Sequence, residues 1–350
     1  MEVTTPGRIC LFGEHQDYLN LPVIAMAISL RIRISGQKRR DNQVVILKKD
    51  LNETEIFSLD DLTYSRPRDY FKSGIKICKL EGLKFSNGFD CNISSQIPIR
   101  SGTSSSSALN VSWIHFLSKI ADNPISWNQQ KLGELAYKAE VSEFNEPGGM
   151  MDQYSTAIGN LIYLKFKPEI VIEKLNPNLG TFVLADSGET KNTYSILKRC
   201  RQSREKIFKL LERKNPSINI NTCNQGIDLS DLNDDEIDLY LGTIKNRNLL
   251  VEALSELRKD KPDQALIGKL LYEHHIILRD VFKVSTPKIE TMLNVAMDSG
   301  ALGGKINGSG GGGCMFAYAP ENPEKIVKAI KNINKDAHII YSDLGTSFLI

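Results

Sequence analysis

Residues 98–109 read Pro98-Ile99-Arg100-Ser101-Gly102-Thr103-Ser104-Ser105-Ser106-Ser107-Ala108-Leu109, a Gly-Ser loop that runs directly into a helical pattern. Beyond Ser107, Leu109, Trp113, Phe116, Leu117 and Ile120 fall on one apolar helical face, and Pro124 stops the pattern. The start of a helix offers unpaired backbone N–H groups and the positive end of the dipole, so the loop is a ready anion site. One serine is enough to cap a helix, and this run holds four. The remaining hydroxyls suit a phosphate-bound Mg2+. It is not a Walker A loop, because G-x-x-x-x-G-K-[ST] occurs nowhere in the chain.

The segments on either side set the fold class. Ahead of the loop, residues 30–35 alternate with period two and 43–48 are also strand-like. After it, a second helix is predicted over 129–142 and is broken by Glu146-Pro147-Gly148-Gly149. Strands follow near 160–165 and 181–186, then a charged amphipathic helix near 192–213. Residues 215–235 show no period and read as a loop. Helices over 236–283 and 287–299, a strand at 314–318, a helix near 323–332 and strands near 337–349 complete the pattern. This order lacks strict βαβα alternation, so α+β is expected, with a boundary near 165–180.

Composition narrows the class further. The 350 residues suggest about two domains, and 44 Lys+Arg against 42 Asp+Glu leave a net charge of +2. That balance speaks against a chain-wide basic surface for nucleic acid. The six cysteines form no C-x-x-C pair and read as reduced, buried thiols. The longest apolar run, Leu21–Ile28, has eight residues, short of the roughly 18 of a membrane span. The first residues do not form a signal peptide, so a cytoplasmic protein is expected, with no membrane or nucleic-acid partner.

Two further segments carry chemistry. Gly308-Ser309-Gly310-Gly311-Gly312-Gly313 fits G-x-G-x-x-G, but strand-like Cys314–Tyr318 follows it where a dinucleotide site needs a helix. Five glycines in six residues cost more backbone entropy than a plain turn requires, which suggests close approach to a ligand. In Pro6-Gly7-Arg8-Ile9-Cys10-Leu11-Phe12-Gly13-Glu14-His15-Gln16-Asp17-Tyr18, an apolar strand ends in a turn dense with hydrogen-bonding groups. Glu14 and Asp17 beside His15 suit a polyhydroxylated small molecule, although a solvated turn is the simpler reading of this segment alone. The Asp-rich stretch 228–238 lacks the spacing of a calcium loop. His274 and His275 read as structural.

The three segments together are similar, in order and approximate spacing, to the three motifs of the GHMP kinase superfamily, and they most resemble galactokinases. Residues 7–18 resemble G-R-x-N-L-I-G-E-H-x-D-Y, and residues 98–109 resemble P-x-G-x-G-L-S-S-S-A-A-L. Ala139-Glu140 with Gly149-Met150-Met151-Asp152-Gln153 resembles A-E-x-x-F…G-I-M-D-Q, and Lys305–Cys314 matches the third motif. Weaker echoes lie at 69–74 and from Tyr194 to Cys200.

The resemblance implies a two-lobed fold, with a ribosomal-S5-domain-2-like lobe over 1–170 and a ferredoxin-like lobe over 171–350. It implies transfer of the γ-phosphoryl group of ATP to the anomeric hydroxyl of galactose or a related sugar. Asp152 would accept or orient the hydroxyl proton and Arg8 would stabilise charge beside it. Arg100, Ser101, Gly102, Thr103, Ser104, Ser105, Ser106, Gly310 and Gly311 would bind ATP. Ser106 and Glu140 would hold Mg2+, and Glu14, His15, Gln16, Asp17 and Tyr194 would contact the sugar. For His15 a hydrogen bond that holds the turn is the alternative, and for Lys305 a surface position is expected. Gln16 stands where threonine is usual, Leu19-Asn20-Leu21 replaces N-G-G, and Lys305 resembles mevalonate and heptose kinases. The implied alternatives are therefore another acceptor, of heptose phosphate or mevalonate type, or a non-catalytic sugar and ATP sensor. Whether the protein is a monomer or a dimer stays open.

Overall fold

Two long strands, β1 (Glu2–Phe12) and β2 (Val23–Lys38), pair antiparallel and form the backbone of the first lobe. In a computed structural model of the chain we describe residues 1–99, 101–190, 192–224, 226–334 and 336–349. The outer half of β2 pairs with β5 (Phe89–Ser95), while its inner half, Val23–Met26, pairs with β6 (Leu161–Lys165). β3 (Gln43–Lys48) and β4 (Glu53–Ser58) extend the sheet beyond β5, and β7 (Val171–Leu175) adds to β6. β3 runs parallel to β5, the one parallel pairing among the described strands.

The helix after the Gly-Ser loop, Ser105–Ile120, is more buried than a single apolar face predicts. Twelve of its sixteen residues are buried, among them Ser107, Ser112 and Ser118. It packs on β1 and β2 on one side and on helices Tyr70–Leu80, Gln129–Tyr137 and Met151–Ile158 on the others. Small side chains let these neighbours approach on the face that the sequence pattern assigned to solvent. Trp113 anchors the packing, its ring 5.0 Å from Phe71 and its Nε1–H donating to Phe71 O at 3.0 Å.

The second lobe has the order βαββαβ. β8 (Phe182–Asp186), β9 (Gly303–Ile306), β10 (Cys314–Tyr318) and β11 (Ala337–Ile340) form an antiparallel sheet in the order β11-β8-β10-β9, the ferredoxin-like arrangement. Helices Thr193–Lys214, Asp234–Leu257, Gln264–Ile276 and Pro287–Asp298 fill the first crossover, and Pro323–Lys331 the second. The described part of 215–233 is irregular and the helix begins at Asp234, yet Cys223 and Leu232 pack with Phe208, Leu211 and Tyr240 in a small core of their own. All six cysteines are buried, and no disulfide joins them.

The two sheets do not divide at 170/171. β7 still belongs to the first sheet, and β12 (Ser347–Leu349) returns at the end of the chain to pair with β1. Arg31 on β2 fastens this returning segment, donating to Asp343 Oδ2 at 2.8 Å, Leu344 O at 2.9 Å and Gly345 O at 2.8 Å, and ties it to β1 by donating to Thr4 Oγ1 at 3.0 Å. Arg31→Met is expected to lower the unfolding free energy by about 2 kcal/mol, since several charge-assisted bonds go at once. A urea midpoint equal to that of the parent chain would show that the strap contributes nothing.

Candidate active site

β1 delivers Arg8 to the junction of the lobes and then ends at Gly13, whose φ of +86° turns the chain. A Cβ on Gly13 would lie 2.8 Å from Pro22 O, so the turn admits only glycine. Asp17 reaches across to the next motif. Its Oδ2 accepts from Met151 N at 3.3 Å, and a Cβ on Gly149 would collide with its carboxylate. Asp152 follows in the first turn of helix Met151–Ile158, where Arg8 meets it with Nε to Oδ1 at 2.8 Å and Nη2 to Oδ1 at 2.7 Å. Arg8 is buried, and its Nη1 also donates to Gly102 O, so one guanidinium joins the acid to the Gly-Ser loop.

That loop enters helix Ser105–Ile120 through Ser104, which has φ +60° and makes no side-chain cap. Ser104 Oγ is buried with no protein partner, while Ser106 is exposed at the helix start. Glu140 approaches the same point from a wide turn, Lys138–Ser142, and accepts from Gln153 Nε2 at 2.7 Å.

Arg8, Glu14, His15, Asp17, Gly102, Ser104, Ser105, Ser106, Glu140 and Asp152 line one cleft, together with Gly308 and Ser309. Its volume of about 200 Å³ is small beside the ~300–1,000 Å³ of a drug-sized pocket. Six of the residues assigned from sequence lie elsewhere. Gln16 is fully buried and donates to Pro22 O at 2.7 Å, bracing the turn from behind. Ser101 and Thr103 are buried and bond to each other at 3.1 Å, and their carbonyls accept from Cys314 N and Arg8 N. Tyr194 is 44% exposed, while Thr193 and Leu197, one helical turn apart, take the cleft side. Gly310 and Gly311 pack on Val284, with Gly311 N donating to Val284 O at 2.7 Å. Arg100 lies outside the described residues.

The glycine run is explained by backbone contact. Gly308 and Gly310–Gly313 all have positive φ. A Cβ on Gly308 would stand 2.7 Å from Gly102 O, and one on Gly313 would stand 2.4 Å from Ser101 O. The two loops meet with no room for side chains.

Lys305 is not on the surface. It is 0% exposed on β9, and its Nζ donates to Cys10 O at 2.8 Å and Glu14 Oε2 at 3.0 Å. Gly308 N donates to the same oxygen at 2.8 Å. The basic residue quoted within the third motif was the available signal, but a single lysine in a sequence carries no mark of burial. Gln153, at the end of the Gly149–Gln153 stretch, was likewise visible but unassigned.

The charges follow from this packing. Burial pushes the Asp17 carboxyl up to about 6, with Asp152 adding to the shift. Burial also raises Glu140, against hydrogen bonds from Gln153, Ser106 and Ser107 that pull it down. His15 is lowered to about 3 by burial and then by Arg204. Burial alone would lower Arg8, but Asp152 and Glu14 outweigh it and the net shift is upward. Among the described residues the cleft is therefore acidic, with buried Arg8 already engaged by Asp152 and Arg68 by Glu146.

With this geometry in place, family models match three stretches: the galactokinase galactose-binding signature over residues 2–38, the GHMP kinases N terminal domain over 69–160 and GHMP kinases C terminal over 250–336. The chain belongs to the GHMP kinase superfamily. These are phosphotransferases with an alcohol group as acceptor and ATP as donor, and this chain is a galactokinase-like member. It is 28% identical over 343 residues to a mevalonate kinase of Thermococcus gammatolerans, covering 93% of this chain and 91% of that one. It is 26% identical over 363 residues to a galactokinase of Actinobacillus succinogenes, covering 100% and 92%. Among solved structures it superposes on Lactococcus lactis galactokinase complexed with galactose with a TM-score of 0.82 at 22% identity, covering 99% and 95%. Methanococcus jannaschii mevalonate kinase gives 0.74 at 21%, covering 98% of each chain. Those likenesses show the shared fold.

Two outcomes follow from the site. Lys305→Met leaves Glu14 buried without its cation and should cost about 3 kcal/mol or more in urea unfolding, with Glu14→Gln in the same chain recovering part of it; a cost below about 1 kcal/mol would contradict the pair. Asp17, protonated more readily when folded, supports stability at low pH and loses that support as pH rises through about 6. Measured from pH 4 to 7, the unfolding free energy of the parent should fall relative to Asp17→Asn; parallel profiles would refute the shift.

Proposed function

We propose that the protein transfers the γ-phosphoryl group of ATP to the anomeric hydroxyl of a neutral sugar, galactose or a close relative. The observation that carries the acceptor class is the acidic cleft, where Glu14, Asp17 and Asp152 present carboxylates and Arg8 is bound to Asp152. Carboxylates accept hydrogen bonds from hydroxyls and repel carboxylate or phosphate groups. The match of residues 2–38 to the galactose-binding signature supports the same reading.

In this reading the sugar lies against the Glu14–Asp17 turn and the ATP phosphates lie at the start of helix Ser105–Ile120. The unpartnered Ser104 hydroxyl and the free N–H groups of the helix start are the donors for those phosphates. Asp152 receives the hydroxyl proton as the sugar oxygen bonds to the γ-phosphorus and the bond to the β,γ-bridging oxygen breaks, releasing ADP. Arg8 holds Asp152 in place and offsets the charge that gathers on the transferring group. Ser106 and Glu140 are hard oxygen donors on one side of the cleft and fit a magnesium ion, which commonly takes one or two protein oxygens. Bound there, Mg2+ would neutralise phosphate charge. Among the described residues no cluster of three or more His, Cys, Asp or Glu side chains offers another metal site.

The mevalonate kinase relatives favour a second reading, in which the acceptor carries a carboxylate. Against it, Lys305 is spent on Glu14 and is not free to bind an anion. ADP release measured with a panel of neutral sugars, phosphorylated sugars and mevalonate separates the readings. Turnover is expected with neutral sugars, and Asp152→Asn should lower kcat by roughly 10²–10⁴-fold. Turnover confined to mevalonate would overturn the sugar reading, and tight ATP and sugar binding without turnover would indicate a sensor.

A further inference from the structure

Arg204, on helix Thr193–Lys214, is 0% exposed and has no carboxylate partner among the described residues. Its guanidinium lies 5.2 Å from the Tyr18 ring centroid and 4.5 Å from that of Phe282. Nε donates to Cys200 O at 2.8 Å, Nη2 donates to Tyr18 Oη, and Nη1 has no partner. A buried arginine without a counter-ion is costly, and helix packing alone would be met by an apolar side chain of similar size. The cost needs a reason.

The donor inventory supplies one. A guanidinium can only donate, so the Tyr18 hydroxyl must accept from Arg204 and direct its single proton elsewhere. Its other partner is His15 Nδ1, at 2.9 Å. His15 Nδ1 is therefore an acceptor, and the ring proton sits on Nε2, which donates to Ser309 O at 3.1 Å. His15 itself is held at φ +62°, an unfavourable conformation for a residue with a side chain, and this chain of bonds is what holds its ring. We propose that Arg204 is a positioning residue that sets the direction of the chain Arg204→Tyr18→His15→Ser309, and so docks the acceptor-binding turn on the Gly-rich loop. His15 then has neither ring nitrogen left over for the acceptor or its proton. The kinetic part of the inference rests on the turn being the acceptor site; the proton order does not.

Ring-15N spectra of histidine-labelled protein at pH 7.5, with the His15 signals assigned from His15→Gln, test the order directly. The parent chain should show His15 with Nε2 protonated and Nδ1 accepting a hydrogen bond. Arg204→Lys, which still donates, should keep that pattern. In Arg204→Met the Tyr18 hydroxyl is free to rotate, and the Nδ1 resonance should move downfield toward that of Tyr18→Phe, where the bond is absent. Arg204→Met should also raise KM for the acceptor about tenfold, while KM for ATP stays within about twofold. An Nδ1-protonated ring in the parent, or an Nδ1 resonance unmoved in Arg204→Met, overturns the assignment. If Arg204→Met does not fold, Tyr18→Phe decides, because an unmoved Nδ1 resonance there has the same force. None of the spectra requires turnover, so failure of the kinase reading would be seen separately.

Discussion

The site depends on a buried carboxylate at the seam between two lobes. Glu14 belongs to the turn after β1, while its two partners, Lys305 Nζ and Gly308 N, belong to β9 and the loop beyond it. An ion pair taken out of water costs desolvation energy that is offset only when further hydrogen bonds satisfy both groups. Here they do, since Lys305 also reaches Cys10 O. The pair thus adds little net stability for its size but penalises any arrangement in which turn and loop separate. Around it the chain packs backbone on backbone, Gly308 against Gly102 and Gly313 against Ser101, at distances no Cβ would allow. The Glu14–Asp17 turn, the Gly-Ser loop and the Gly-rich loop come from three distant parts of the sequence and are held as one packed unit.

Such packing suits phosphoryl transfer, where catalysis rests on position and charge. Arg8 is the clearest case, binding Asp152 and the Gly102 carbonyl with one side chain. The residues that look most reactive in the sequence are in part structural: His15 spends both nitrogens on holding the turn, and Gln16 braces it from behind. What remains facing the cleft is a set of oxygen acceptors and the start of a helix. In the proposed function the near-neutral chain meets a polyanion through backbone donors rather than through an excess of basic residues.

Much of this was legible in the sequence. Motif order placed Arg8, Glu14, Asp17, Ser104–Ser106, Glu140 and Asp152, and the structure brings all of them to one cleft. Turn and helix signals located many elements to within a few residues, but helices Tyr70–Leu80 and Met151–Ile158 and strands β4, β5, β7 and β9 were not assigned. The misplaced positions share a cause, since sequence shows that a residue is near a motif but not which way its side chain points. Tyr194 is one step around a helix from Thr193, and that step turns it to solvent. Gly310 and Gly311 serve loop packing, which depends on Val284 from another segment. Lys305 and Arg204 are charged residues in the interior, against the ordinary preference for the surface. β12 returns to pair with β1 across nearly the whole chain, a contact with no local signal.

If the acceptor is a sugar hydroxyl at the anomeric carbon, proton-coupled 31P NMR of the product, with 31P–1H correlation, locates the phosphate there. A phosphate on an anomeric carbon is split by one proton and gives a doublet. A phosphate on a primary alcohol, as in a mevalonate-type acceptor, is split by two and gives a triplet. The product of ATP and a neutral sugar should show the doublet, correlated to the anomeric proton. A triplet, or a doublet correlated to any other ring proton, would contradict an anomeric acceptor.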